Sequence, residues 1–128
     1  MTPTELIEKL RAAPATVAFD EVIAVIDAHY RFTPTGFANG RDAGRLWNPV
    51  GTNEGSCRIF AFGRLHDLSE AETLACFGAH YRAVLADPGG TAHGNIRAFL
   101  RDGWAGIKFE GTPLVLKEGL KDDTERRC

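Results

Sequence analysis

Eighteen consecutive residues, Gly36 to Asn53, carry four glycines (Gly36, Gly40, Gly44, Gly51) and three asparagines (Asn39, Asn48, Asn53) with no helical periodicity. Loops beyond about 12–15 residues are uncommon in compact domains, and those that occur are often functional. Phe37, Leu46 and Trp47 can pin the segment to a core, so an ordered loop is expected. It ends in Gly51-Thr52-Asn53-Glu54-Gly55-Ser56-Cys57-Arg58-Ile59-Phe60-Ala61-Phe62, where loop composition gives way to an apolar run. An amide, a carboxylate, a hydroxyl and a thiol crowd that corner. Any site is expected to converge there.

The flanking sequence reads as helix. Thr2 and Glu5 form a capping box around Pro3, and Leu6, Ile7 and Leu10 follow as an apolar stripe that Pro14 stops. Phe19, Val22, Ile23, Ile26 and Tyr30 lie on one face of a second helix, expected over 17–29. Pro34 then biases Thr33 towards an extended exit. A third helix is expected from Glu54 to Leu65, capped by Asn53 or Thr52. Alternation of Cys57, Ile59 and Ala61 with Arg58, Phe60 and Phe62 also suits a half-buried strand. Ser69 and Glu72 box the start of another helix, whose stripe through Leu74, Phe77, Tyr81, Val84 and Leu85 runs to Asp87-Pro88-Gly89-Gly90. A last helix spans 92–101, with Thr91 able to cap it, Ile96, Phe99 and Leu100 facing the core, and Gly103 ending it. Residues 104–109 read as an extended piece that pairs near Phe32. The architecture expected is mostly α: one compact domain over 1–116 with about five helices and a small two-stranded sheet. The alternative is α+β. Residues 117–128 read as a charged, frayed tail.

Charge narrows the function classes. Fifteen basic residues against 17 acidic ones, net −2, leave no basic face for nucleic acid. No apolar run reaches the ~18–20 residues that would cross a membrane. The N-terminus lacks the basic region of a secretory signal. Three cysteines (Cys57, Cys76, Cys128) without paired spacing suit a reducing cytosol, so a cytoplasmic location in the producing cell is expected.

Two clusters could do chemistry. In the first, a helix start would expose amide hydrogens and lower a thiol pKa, making Cys57 a candidate nucleophile and Glu54 its acid–base partner. The simpler reading is a buried thiol among ordinary capping residues. In the second, His93 and Arg97 are four apart, near a helix start, where they could hold a small anionic ligand. His93 is the candidate base there, and Asn95 points elsewhere, towards the long loop. A solvated first turn is the plainer alternative. Cys76 and His80 are also four apart, but no CxxC or HxxxH spacing supports a metal, and none is expected. Without a GxGxxG or a phosphate-loop lysine, no cofactor is expected either. Trp47, Trp104, Phe37 and Phe109 could line a pocket or partner groove, although core roles are commoner for such residues.

Four groups of words carry a resemblance when taken together. They are Gly36-Phe37 with Asn39-Gly40, then Asn53-Glu54-Gly55-Ser56-Cys57-Arg58, then Thr73-Leu74-Ala75-Cys76-Phe77-Gly78 with Tyr81-Arg82, and finally His93-Gly94-Asn95-Ile96-Arg97 with Gly103-Trp104. In this order they resemble the HopJ type III effector family over nearly the whole chain. The resemblance implies delivery into a host cell and action through a host or bacterial protein partner, with no catalytic activity attached. It marks Asn39, Asn53, Glu54, Ser56, Arg58, His93, Asn95 and Arg97 as binding residues. The alternative is a small cytosolic enzyme or anion binder that uses Asn53–Arg58 with His93–Arg97.

Overall fold

A computed structural model describes residues 1–117; the expected tail beyond Lys117, including Cys128, lies outside the described residues. The fold is α+β, the alternative reading: six helices with one two-stranded and one three-stranded antiparallel sheet.

Helix α1 (Pro3–Ala12) opens with the expected capping box, Thr2 and Glu5 each accepting the other's backbone N–H. Helix α2 (Phe19–His29) begins two residues later than expected, because Val17 is buried in extended backbone before it. Strand β1 (Tyr30–Phe32) leaves α2 directly and pairs with β5 (Leu114–Leu116), Tyr30 opposite Leu116. The Gly/Asn-rich stretch is built around two short strands. Strands β2 (Phe37–Asn39) and β3 (Leu46–Asn48) pair within it, with Ala38 opposite Trp47. Strand β4 (Lys108–Phe109) pairs with β2, not with the segment near Phe32, and residues 103–106 form a tight helical turn rather than an extended piece. Phe37 alone of the three expected pins is fully buried; Leu46 and Trp47 face outward on the edge strand.

Helix α3 (Glu54–Leu65) settles the helix-or-strand question in favour of helix. It runs through the core with Ile59, Phe60, Ala61, Phe62 and Gly63 all buried, so its apolar residues surround it rather than form one stripe. That encirclement is why they alternate in sequence. Phe60 contacts Phe37, Phe77 and Phe99 at ring separations of 5.0–6.0 Å. At Gly63 an added Cβ would sit 3.0 Å from the Trp104 ring, so the two elements close up only around glycine.

The helix expected from Ser69 to Leu85 is two helices, α4 (Glu70–Ala75) and α5 (Ala79–Ala86). The break is Gly78, at φ 57° and ψ −125°, a conformation that L side chains rarely adopt. A Cβ there would lie 2.7 Å from the Phe19 backbone nitrogen, so the start of α2 crosses directly over the break. The apolar stripe continues across the bend and hides it. Helix α6 (Gly94–Asp102) starts two residues later than expected, with His93 rather than Thr91 as its N-cap. Leu85 and Leu100, expected in the core stripe, are exposed.

Gly78→Ala is therefore expected to cost on the order of 2–3 kcal/mol, from positive-φ strain and collision with the α2 backbone. Urea unfolding of the variant checks this, since a helix running unbroken through position 78 would be stabilised by alanine.

Candidate functional site

The two sequence clusters meet. A cleft of about 240 Å³ opens where the starts of α3 and α6 converge, with α5 alongside. Asn53, Gly55 and Ser56 line it from α3, His93, Gly94 and Asn95 from α6, and His80 from α5; Phe19 and Phe77 add apolar wall. The His80 and His93 rings are 5.0 Å apart, and Phe19 meets His80 edge-on at 4.9 Å.

Both helices begin in the same unusual way. Asn53 (φ 50°, ψ 45°) and His93 (φ 58°, ψ 53°) are left-handed N-caps, and neither side chain caps its own helix. Helical hydrogen bonding starts with Cys57 N–H donating to Asn53 O and Arg97 N–H donating to His93 O. The amide hydrogens of the intervening first turns thus have no acceptor within their helices, and the positive ends of two helix dipoles face the cleft. Among the described residues no carboxylate, lysine or arginine lines it. The recess offers neutral donors, two imidazoles and a hydroxyl: a setting suited to a small anion.

What holds the two helix starts together is a knot of amides behind the cleft. Asn48 and Asn95 exchange side-chain hydrogen bonds, Asn95 Nδ2 donating to Asn48 Oδ1 at 2.9 Å and Asn48 Nδ2 donating to Asn95 Oδ1 at 3.1 Å. Asn53 Nδ2 donates to Asn48 Oδ1 at 2.7 Å, which ties the side chain to β3 rather than to its own helix. Asn39 Nδ2 donates to Asn95 Oδ1 and to the Asn95 carbonyl, both at 2.9 Å. Asn39, Asn48 and Asn95 are buried, and Asn39 Oδ1 has no partner among the described residues.

The other candidates lie elsewhere. Cys57 is 1% exposed, its thiol donates to the Thr35 carbonyl, and burial pushes its pKa up to about 11. A thiol in that state is neutral at pH 7 and closed to substrate, the opposite of the lowered pKa expected of a nucleophile at a helix start. Glu54 is half-buried and does not line the cleft. Arg58 turns towards α2, donating to Asp27 at 2.9 Å and stacking 3.9 Å over the Phe32 ring. Arg97 leaves His93 and donates to the carbonyls of Ala92, Asp87 and Pro88. Asn39 acts behind the cleft, not in it, and Asn95 both braces the long segment and lines the recess. The spacing of His80 from Cys76 suggests at most a weak metal ligand; the Gly78 bend that brings it beside His93 leaves no trace in the apolar stripe. Cys76 is buried with its thiol on the Glu72 carbonyl.

Fold and cleft together define a small α+β domain whose polar recess is walled by two helix starts. The family model for HopJ type III effector protein matches residues 3–114, and the chain belongs to that family. The crystal structure of a protein of unknown function, VPA0580, is similar, with a TM-score of 0.84 and 43% identity over 89% of this chain and 92% of that one. No curated protein matches. No described helix is long and apolar enough to cross a membrane.

Asn48→Ala should lower stability by about 2–3 kcal/mol, because it strips acceptors from two amides and leaves buried polar atoms unpaired. Asn53→Ala removes one bond from an exposed residue and should cost under about 1 kcal/mol. Equal losses in urea unfolding would show that the knot is not cooperative. In the folded protein Cys57 should not react with a disulfide reagent at pH 8. Because burial holds its pKa at about 11, above the ordinary thiol value of 9.0, the neutral buried thiol favours folding below about pH 9, an effect lost as pH rises towards 11. A urea midpoint that falls less steeply over this window in Cys57→Ala than in the parent is the expected result.

Proposed function

We propose that this HopJ-family protein is a binding module that captures a small anionic molecule in the cleft between α3 and α6. The observation that carries the reading is the convergence of Asn53, Ser56, His93 and Asn95, from stretches some forty residues apart, on one recess with no acidic side chain in its lining. Uncapped first-turn amides supply donors for oxyanions, and Ser56 with the two imidazoles can complete their coordination. The reading needs no reacting group. Cys57, the strongest nucleophile in the sequence, is held neutral and buried.

A second reading, capture of a host or bacterial protein partner after type III delivery, is supported by one feature beyond the family. Edge strand β3 and the turn after it expose Leu46, Trp47 and Val50 at 37%, 49% and 59%, an apolar ledge beside the start of α6.

The first reading is tested by titrating ¹⁵N-labelled protein with inorganic phosphate. Shifts should concentrate at Gly55, Ser56, Gly94, Asn95 and Ile96, and His80→Ala and His93→Ala should each weaken binding about fivefold or more. No shifts, or shifts scattered over basic surface residues, would sink it. For the second, a photo-crosslinker at position 47 should trap one discrete partner in host extract, and its absence counts against partner capture through this ledge.

A further inference from the structure

The four histidines divide into two kinds. His29 and His66 have ring nitrogens engaged, by the Met1 carbonyl and the Tyr30 hydroxyl. His80 and His93 line the α3–α6 cleft, and among the described residues neither imidazole donates or accepts a hydrogen bond. Their rings stand 5.0 Å apart. Each reaches the cleft through backbone that L residues rarely adopt, His93 by its own φ of 58° and His80 by the bend at Gly78. Such conformations cost energy and gather at ligand sites, where the surrounding structure holds them in place.

Other charges stay out of the lining. On α2 Asp20 is exposed, and on α3 Glu54 is half-buried. On α5 Arg82 donates to the Ala15 carbonyl, and on α6 Arg97 is held by three carbonyls. None of these four lines the cleft, so the imidazoles are its titratable groups among the described residues. Histidine ordinarily titrates between about pH 5 and 8. An oxyanion between the helix starts attracts a proton onto the pair, and that proton in turn holds the anion. Each helix end counts as about +0.5 charge, so two of them with one imidazolium make about +2, against about +1 for the neutral pair. The protonated sum matches an oxyanion of two charges.

We propose that the cleft binds a doubly charged oxyanion together with one proton, which the His80–His93 pair takes up on binding. The inference rests on the anion-binding reading of the cleft and adds which anion it takes and at what pH. Linkage fixes the sign. The complex holds one proton more than its separate components, so affinity rises as pH falls through the histidine range and weakens as pH rises above it.

Sulfate is the probe, because it stays doubly charged from about pH 5.5 to 8 and any pH dependence then belongs to the protein. Titration calorimetry of the whole protein, in two buffers of different ionisation enthalpy, should show proton uptake with each sulfate bound. Affinity at about pH 5.5 should exceed that at pH 8 by about tenfold or more, and nitrate, with one charge, should bind more weakly than sulfate. A double variant, His80→Gln with His93→Asn, keeps polar side chains and an asparagine at the left-handed position. Its urea midpoint should stay close to the parent's while the pH dependence disappears. Equal sulfate affinity at both pH values without proton uptake would overturn the proposal and leave the anion site standing. Phosphate bound while sulfate is refused at both pH values would put the proton on the ligand and overturn it too, as would a pH slope that survives in the double variant. No binding of either anion at any pH would remove the anion-binding reading itself, and this inference with it.

Discussion

The reciprocal hydrogen bonds between Asn48 and Asn95 are the contact on which the arrangement of the cleft depends. Each amide uses its donor and its acceptor on the other, which fixes both rings of contacts in one orientation. Asn48 ends β3, Asn95 lies in the first turn of α6, and Asn53, hung from Asn48, starts α3. Two neighbouring elements and a third, 47 residues on, are thereby tied together by three side chains. In a buried setting the cost of breaking such a network exceeds the gain from any single bond, because each loss leaves a desolvated polar group behind. The knot therefore specifies geometry more than it adds stability.

Apolar packing provides the frame within which that specification works. Phe60 touches Phe37 from the sheet, Phe77 from the α4–α5 bend and Phe99 from α6, so one residue of α3 reports the position of three other elements. Close approaches at Gly63 and Gly55 admit a neighbouring side chain, and at Gly78 another backbone, where a Cβ would hold them off. Gly55 matters most for the cleft: a Cβ there would press on the Phe19 ring at 3.0 Å, and Phe19 in turn orients His80 edge-on. Packing sets the distances, and the amides then set the directions.

These two layers differ in how far they can be read from sequence. Capping boxes at Thr2–Glu5 and Ser69–Glu72 are local, and the structure has both. The stop at Asp87 and the helix end at Gly103 are equally local. The site clusters were visible as words, because amide, hydroxyl and imidazole groups beside glycines are unusual company for an apolar run. What escaped was every feature decided across the chain. Asn53 looks like an N-cap, and sits at that position, yet spends its amide on Asn48. Arg97 shares a helical spacing with His93, but the carbonyls that follow α5 offer it three acceptors and turn it to the other side. Cys57 stands in the first turn of α3, where the dipole would lower its pKa, and burial outweighs that influence. Helical periodicity carried straight through Gly78 because both halves bury the same face.

The contrast between the cleft and the outer side of α6 follows from the same divergence. Four residues separate His93 from Arg97, and one helical turn sends them to different surfaces with different chemistry. Among the described residues the cleft is lined by no carboxylate, lysine or arginine; what it presents is backbone donors and the positive ends of two helix dipoles, which act over a short range. The groove between α5 and α6 carries Arg97 and Arg101 beside aliphatic walls. Arg97 turns to the outer side of α6 because the carbonyls of Asp87, Pro88 and Ala92 accept its N–H groups there. A single helix thus presents two chemically different surfaces, one at its first turn and one along its outer side.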